Sequence, residues 1–186
     1  YTEAAAVTDL SKMTLTKTTF ETFNEFQYFT SVKTVPSEYF YNCSSLTSIN
    51  IPESVTSIGE YTFQDCSGLT SINIPKGVTS IRSNTFYGCS SLTSISIPES
   101  VTSIGGSTFS GCSGLTSVTI PNSVTGIGDR AFWDCSGLTS ITIPNSVTYI
   151  GRDAFSGCSG LTSVKSEIIN VFNLEFQDIS STCKLF

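Results

Sequence analysis

The sequence predicts a solenoid of parallel β-sheet coils, each 23 residues long, with short strands and 3-10 or single-turn helical segments on the outer side. Three observations carry this. Leucines recur at Leu46, Leu69, Leu92, Leu115, Leu138 and Leu161, always 23 residues apart. A fixed period of this size means that each repeat is one coil stacked on the last. Overlaying the copies gives the template L-x-x-I/V-x-I-P-x-x-V-T-x-I-x-x-x-x-F-x-x-C-S-x, seen first over residues 46–67 as LTSINIPESVTSIGEYTFQDCS. Within each copy, apolar and polar residues then alternate over a few positions before a proline, as in a short half-buried strand. The expected stack is right-handed, with about seven coils including two caps.

Residues 1–22 form an N-terminal flank outside the repeat. A short helix is expected within residues 3–13, with Ala5, Ala6, Leu10 and Met13 roughly on one face. The Thr-rich TLTKTTF that follows reads as a strand or an extended lead-in. Residues 23–45 continue the frame in degenerate form. There Phe23, Phe26 and Tyr28 fall in the columns of Leu46, Ile49 and Ile51, and Val32, Val35, Phe40 and Cys43 in those of Val55, Ile58, Phe63 and Cys66. Bulky aromatics in a first coil suit a cap over an otherwise open core end.

Five full repeats occupy residues 46–160. In the first, Ile49 and Ile51 alternate with Ser48 and Asn50, and Pro52 stops the strand because proline has no N–H to continue a ladder. Pro75, Pro98, Pro121 and Pro144 repeat that stop. A second short strand is expected at residues 55–58, and Gly59 follows as a turn residue. The tail YTFQDCSG is too short for a regular helix, which leaves a 3-10 or single α turn. Seven side chains per coil point inward: Leu46, Ile49, Ile51, Val55, Ile58, Phe63 and Cys66. Residues 161–186 read as a C-terminal capping segment. Val164 still fits the frame, the run IINVFNLEFQDI replaces the Pro and Val-x-x-Ile signals, and the apolar ending Lys184-Leu185-Phe186 lets the natural protein continue.

Composition narrows the function. The net charge is -6 with 13% charged residues, which argues against nucleic acid or an anionic membrane surface as partner. No apolar run reaches the roughly 18 residues needed to span a bilayer, so no membrane insertion by this chain is expected. Opening on Tyr1 rather than Met fits a chain whose signal peptide has been removed or left off, so export is permitted. Seven cysteines, an odd number, with no histidine and no C-x-x-C spacing, argue against both a complete disulfide framework and a zinc site. Six of them, Cys43, Cys66, Cys89, Cys112, Cys135 and Cys158, occupy one column of the repeat, the expected signature of a ladder of buried thiols. Strand spacing of ~4.8 Å would hold neighbouring Cβ atoms wider than a disulfide accepts.

Catalysis finds little support. Without histidine a Ser-His-Asp or Cys-His site is excluded. The acidic residues form no recurring pair, with Asp65 and Asp134 sharing a column but separated by two other coils, and the glycines belong to coil turns rather than a phosphate loop. The expected protein is not an enzyme, and no cofactor or metal is expected. Two surfaces compete for binding. The strand face carries Asn50, Asn73, Ser96, Thr119, Thr142 and Lys165 beside a serine column, Ser48, Ser71, Ser94, Ser117, Ser140 and Ser163. Its small hydroxyls lack the aromatic and arginine anchors that dominate hot spots, so a solvated sheet face is the simpler reading. The outer edge reads Tyr41, Gln64, Tyr87, Ser110, Trp133, Ser156. Tyr41, Tyr87 and Trp133 are suited to anchoring a protein or stacking on sugar rings, and equally to packing over neighbouring coils. An ice-ordering ladder is disfavoured because the outward strand column mixes Asn, Ser, Thr and Lys.

The copies LTSINIPESVTSIGEYTFQDCSG and LTSVTIPNSVTGIGDRAFWDCSG resemble the BspA-like leucine-rich repeats of bacterial surface proteins, over residues 23–183. The flanks EAAAVTDL and ISSTCKLF resemble those of such proteins from gut bacteria. In that family EAAAVT often follows an acidic calcium-loop-like segment whose twelfth position would fall on Glu3. The earlier ligands are outside this chain, so no calcium site is expected. The resemblance implies a secreted or cell-surface leucine-rich-repeat solenoid, a monomer used for adhesion or protein recognition, with a host extracellular protein or glycan as partner. The alternative is a structural spacer that presents other domains, which near-identical outward columns suit. Departures from the repeat are local: Arg82 replaces the glycine of Val-x-x-Ile-Gly, and Gly126 and Tyr149 break a serine column.

Overall fold

In the computed structural model, which describes residues 2–13, 15–166 and 184–185, the chain is a parallel β-solenoid of about six coils. One strand per coil builds the main sheet: β3 (Ser48–Asn50), β5 (Ser71–Asn73), β7 (Ser94–Ser96), β9 (Ser117–Thr119), β11 (Ser140–Ile143) and β13 (Ser163–Ser166). β1 (Thr22–Phe23) and β14 (Lys184–Leu185) flank it, giving an eight-stranded parallel sheet in the order β1-β3-β5-β7-β9-β11-β13-β14. Pairing is in repeat register, Ser48↔Ser71, Ser94↔Ser117 and Ser140↔Ser163. The prolines end these strands as expected, and each proline carbonyl accepts the N–H of the valine three residues on, as in Val55 N to Pro52 O at 3.0 Å.

The inward columns are dry. Leu46, Ile49, Ile51, Val55, Ile58, Phe63 and Cys66 are all buried, as are their counterparts in the following repeats except Ile150, which is partly buried. Phe40, Phe63, Phe86, Phe109, Phe132 and Phe155 stack with ring centroids 5.2–5.6 Å apart and planes within 18°, the offset geometry aromatic rings prefer. The exposed threonines also carry structure. The hydroxyls of Thr70, Thr93, Thr116, Thr139 and Thr162 each donate to the carbonyl of the threonine one coil earlier, at 3.1–3.4 Å. Threonine thus recurs here because its side chain adds an inter-coil bond.

The Val-x-x-Ile segments form a second row: β2 (Thr34–Val35), β4 (Ser57–Ile58), β6 (Ser80–Ile81), β8 (Ser103–Ile104), β10 (Gly126–Ile127) and β12 (Tyr149–Ile150). The row is broken. β2 pairs β4, and β6 to β12 form one sheet, but β4 and β6 do not pair. Elsewhere the residue after isoleucine is glycine and donates its N–H to the preceding coil, as Gly105 to Ile81 O (2.8 Å) and Gly128 to Ile104 O (2.9 Å). A Cβ on Gly105 would lie 2.5 Å from Ser83 N, so only glycine permits this approach. Arg82 carries that Cβ. A second serine column, two residues after each proline, is also interrupted: Ser54, Ser100 and Ser123 each donate to a valine carbonyl one coil earlier, whereas Gly77 has no hydroxyl to do so. Restoring both with Gly77→Ser/Arg82→Gly should close the seam. One glycine is lost as one is gained, so backbone entropy cancels. Two regained inter-coil bonds, less the tight contact of a Cβ at position 77 with Thr56 Cγ2 and Val55 O, each 3.1 Å away, leave about 1 kcal/mol. Tm should rise by about 2–4 °C. A Tm that stays level or falls would show that these two side chains do not cause the break.

The N-terminal flank departs from expectation. The helix is a single turn, α1 (Thr2–Ala5). Asp9 then takes the N–H and hydroxyl of Ser11, each at 2.8 Å, a local turn that competes with helix. Leu10 is buried, but Met13 is exposed. Residues 15–20 of TLTKTTF do not form a strand. Lys17 sits at φ 59° and donates to Tyr41 O (2.9 Å), while the Cys43 thiol donates to Leu15 O (2.9 Å), so this lead-in adds one more outer turn beneath the first coil. The first coil is also out of the expected phase: Phe23, not Phe26, pairs with Ile49. Twelve steps separate Phe23 from Val35, where nine separate Ile49 from Ile58. The extra residues wind into the 3-10 helix Asn24–Tyr28. Phe20, Phe23, Phe26, Phe29 and Phe40 pack together over the core end. The expected capping run IINVFNLEFQDI and Cys183 lie outside the described residues.

Candidate functional site

The outer edge is built by backbone conformation. Two columns are left-handed: Glu38, Tyr61, Asn84, Ser107, Arg130 and Asp153 at φ 52–60°, and Asn42, Asp65, Gly88, Gly111, Asp134 and Gly157 at φ 55–75°. Asn, Asp and Gly dominate the second column because they tolerate this region best. The bonds expected of 3-10 turns are present, as Gln64 N to Tyr61 O and Cys66 N to Phe63 O. They do not run consecutively, because each left-handed residue reverses the chain between them. The intervening N–H groups reach the next coil instead: Asn42 to Gln64 O, Asp65 to Tyr87 O, Gly88 to Ser110 O, Gly111 to Trp133 O and Asp134 to Ser156 O, all at 2.7–2.8 Å. The turns are therefore a third hydrogen-bonded ladder, and it holds Tyr41, Gln64, Tyr87, Ser110, Trp133 and Ser156 in one column, as the spacing predicts.

Exposure divides that column. Tyr41 and Tyr87 are half-buried, and Ser110 is buried. Trp133 remains open at 36%. The same and the next coil also present residues that the sequence did not single out for binding. Trp133 N bonds Arg130 O (3.1 Å), and the Arg130 guanidinium meets Asp153 at 3.5 Å. Tyr149, 57% exposed, donates its hydroxyl to Asp129 Oδ1 (3.2 Å), which also accepts Arg152 N (2.9 Å). The hydrogen bond to the Asp129 carboxylate holds the Tyr149 phenol above its ordinary pKa. Both Tyr149 and Gly126 had shown as breaks in the serine column, and column breaks were the available signal for this patch.

On the strand face, Asn50, Asn73, Ser96, Thr119, Thr142 and Lys165 are all exposed and stack in register. A groove of about 550 Å3 opens at the N-terminal end of this face, lined by Gln27, Thr30, Asn50, Pro52, Glu53 and Asn73 among others. The cysteine ladder lies inside. Cys43, Cys66, Cys89, Cys112, Cys135 and Cys158 are buried and free. Each of the last five donates its thiol to a phenylalanine carbonyl one coil earlier, at 3.0–3.1 Å. Burial pushes the Cys112 thiol up to about 12 and the Cys89 thiol well above its ordinary value, so these sulfurs are structural donors rather than nucleophiles. Among the described residues, no group of three His, Cys, Asp or Glu is placed to hold a metal, and no helix is long and apolar enough to cross a membrane.

Known proteins match this arrangement. The family model for the BspA type leucine rich repeat region matches residues 33–162 in six copies. The solved leucine-rich-repeat protein of T. pallidum is 38% identical with a TM-score of 0.69, over 73% of this chain and 66% of that one. A leucine rich cell surface protein from Faecalibacterium prausnitzii is 39% identical with a TM-score of 0.63, over 78% of this chain and 42% of that one. A leucine-rich-repeat protein from Eubacterium ventriosum is 26% identical with a TM-score of 0.50, over 73% and 40%. The chain thus spans less than two thirds of these relatives' own lengths. No curated protein matches it.

Proposed function

This chain belongs to the BspA-type leucine-rich-repeat family, and from that premise we propose that it is a non-catalytic adhesion or protein-recognition module, secreted or displayed at a cell surface. The likeness to a cell surface protein of Faecalibacterium prausnitzii supports the location. One observation carries the choice of surface. The outer edge of the fifth coil presents exposed Trp133 and Arg130 on a rigid backbone ladder, and exposed Tyr149 stands on β12 of the sixth coil. Trp, Tyr and Arg are the side chains that most often carry binding energy. Because the left-handed turns fix the main chain of Arg130 and Trp133 and β12 fixes that of Tyr149, ordering costs on binding fall on side chains alone. The partner that suits this patch is a host extracellular protein or glycan, and the chain acts as a monomer.

The test is binding of the purified chain to extracellular-matrix proteins and glycans, with Trp133→Ala in parallel. A hot-spot tryptophan is worth about 2 kcal/mol or more, so affinity should fall about 30-fold. Binding that the variant leaves unchanged would move the site off this edge. A second reading, a spacer that presents other domains, rests on the uniform serine column of the strand face, Ser71, Ser94, Ser117, Ser140 and Ser163. Absence of any binding would favour it.

A further inference from the structure

We propose that the groove at the N-terminal end of the strand face is a binding site for an uncharged oligosaccharide. The groove follows from the phase shift of the first coil. In every later coil the strand residues stack directly on those of the coil before, as Asn50 and Asn73 do, and leave no gap. Below Asn50 the chain instead turns at Phe23 into the 3-10 helix Asn24–Tyr28. Gln27 and Thr30 therefore stand as a separate wall opposite Asn50, Pro52, Glu53 and Asn73. The enclosed space, about 550 Å3, lies in the range of small-ligand sites, roughly 300–1,000 Å3.

The lining selects the ligand class. Three side-chain amides, Gln27, Asn50 and Asn73, present both donors and acceptors, as sugar hydroxyls require. Glu53 adds a carboxylate that already accepts Asn73 Nδ2 at 3.4 Å, and Gln27 Nε2 donates to Asn24 O at 2.9 Å. These contacts orient two of the amides before any ligand arrives. The largely buried Ile51 and Pro52 close the floor of the groove with apolar atoms. Among the described residues no lysine or arginine lines the groove, so a phosphate, sulfate or uronate would meet Glu53 without a compensating cation. The column itself points to this end of the sheet. Asparagine occurs only at Asn50 and Asn73, and the same position becomes Ser96, Thr119, Thr142 and Lys165 beyond the groove.

The test is titration of the chain with neutral trisaccharides of the β-glucan, α-glucan, mannan, galactan and xylan types, followed by calorimetry and by the side-chain amide signals in NMR. At least one should bind and shift the amide signals of Gln27, Asn50 and Asn73. Losing two hydrogen-bonding side chains in Asn50→Ala/Asn73→Ala should weaken it about tenfold or more. Both asparagines are exposed, so the variant should melt as the parent does. Trp133→Ala should bind the sugar as the parent does, which separates this site from the outer edge. The inference is overturned if none of the neutral trisaccharides binds at millimolar concentration, if an oligogalacturonide binds more tightly than all of them, or if binding survives the double variant.

Discussion

Phe109→Asp is expected to abolish cooperative melting. Phe109 is fully buried at the middle of the stack, with ring centroids 5.6 Å from Phe86 and 5.2 Å from Phe132. Truncating a buried phenylalanine alone costs about 3–5 kcal/mol. An unpaired carboxylate in the same place adds a desolvation cost of several kcal/mol more. Together these match the whole stability of an ordinary domain, about 5–15 kcal/mol. The position matters as much as the chemistry. In a solenoid each coil is stabilised by its neighbours, so a broken central coil leaves two short stacks with open core ends. Circular dichroism should show a broad, shallow melt, while Phe109→Leu keeps a sharp transition at lower temperature. If the aspartate variant melts like the parent, the inward face has been assigned wrongly.

The second large effect is expected from one methyl group. A Cβ on Gly128 would lie 2.5 Å from Gly106 N, 2.7 Å from Gly105 C and 2.9 Å from Gly106 Cα, all backbone atoms. Backbone cannot rotate aside as a side chain does, so the two coils must separate. The Gly128 N–H bond to Ile104 O is then lost with the overpacking, a combined cost of about 3 kcal/mol. For a chain of this size that lowers Tm by about 6–12 °C. Gly126→Ala is the matched control two residues earlier, since its Cβ would meet nothing within 4 Å and the same column holds threonine, serine or tyrosine elsewhere. Equal Tm values for the two variants would show that the glycine column is not set by this close approach. The seam at Arg82 is the natural version of the same substitution, and there the pairing is absent.

The period, the strand rows, the buried columns and the aromatic edge were legible in the sequence. Each follows from local rules repeated every 23 residues: proline stops a strand, alternation places isoleucine inward, and identical coils stack in register. Even the outer-edge column of Tyr41, Tyr87 and Trp133 could be read this way, because translation by one coil preserves a side chain's direction; that only Trp133 of the three stays open could not. The repeat also fixed the cysteines as one interior ladder.

Only the tertiary structure decided what happens where repetition fails. The phase of Phe23 depends on which residue bonds Ile49, and the period alone placed Phe26 there. The folding of residues 15–17 into an outer turn depends on Tyr41 and Cys43, whose carbonyl and thiol lie a coil away. The gap between β4 and β6 depends on the distance between two backbones, which sets whether a Cβ at Arg82 is tolerated. The meeting of Tyr149 with Asp129, 20 residues apart, joins neighbouring columns that the template treats separately. A periodic sequence determines the coil and the rules for stacking it. The departures from the period gain their meaning from what the adjacent coil presents to them, and that contact exists only once the stack has formed.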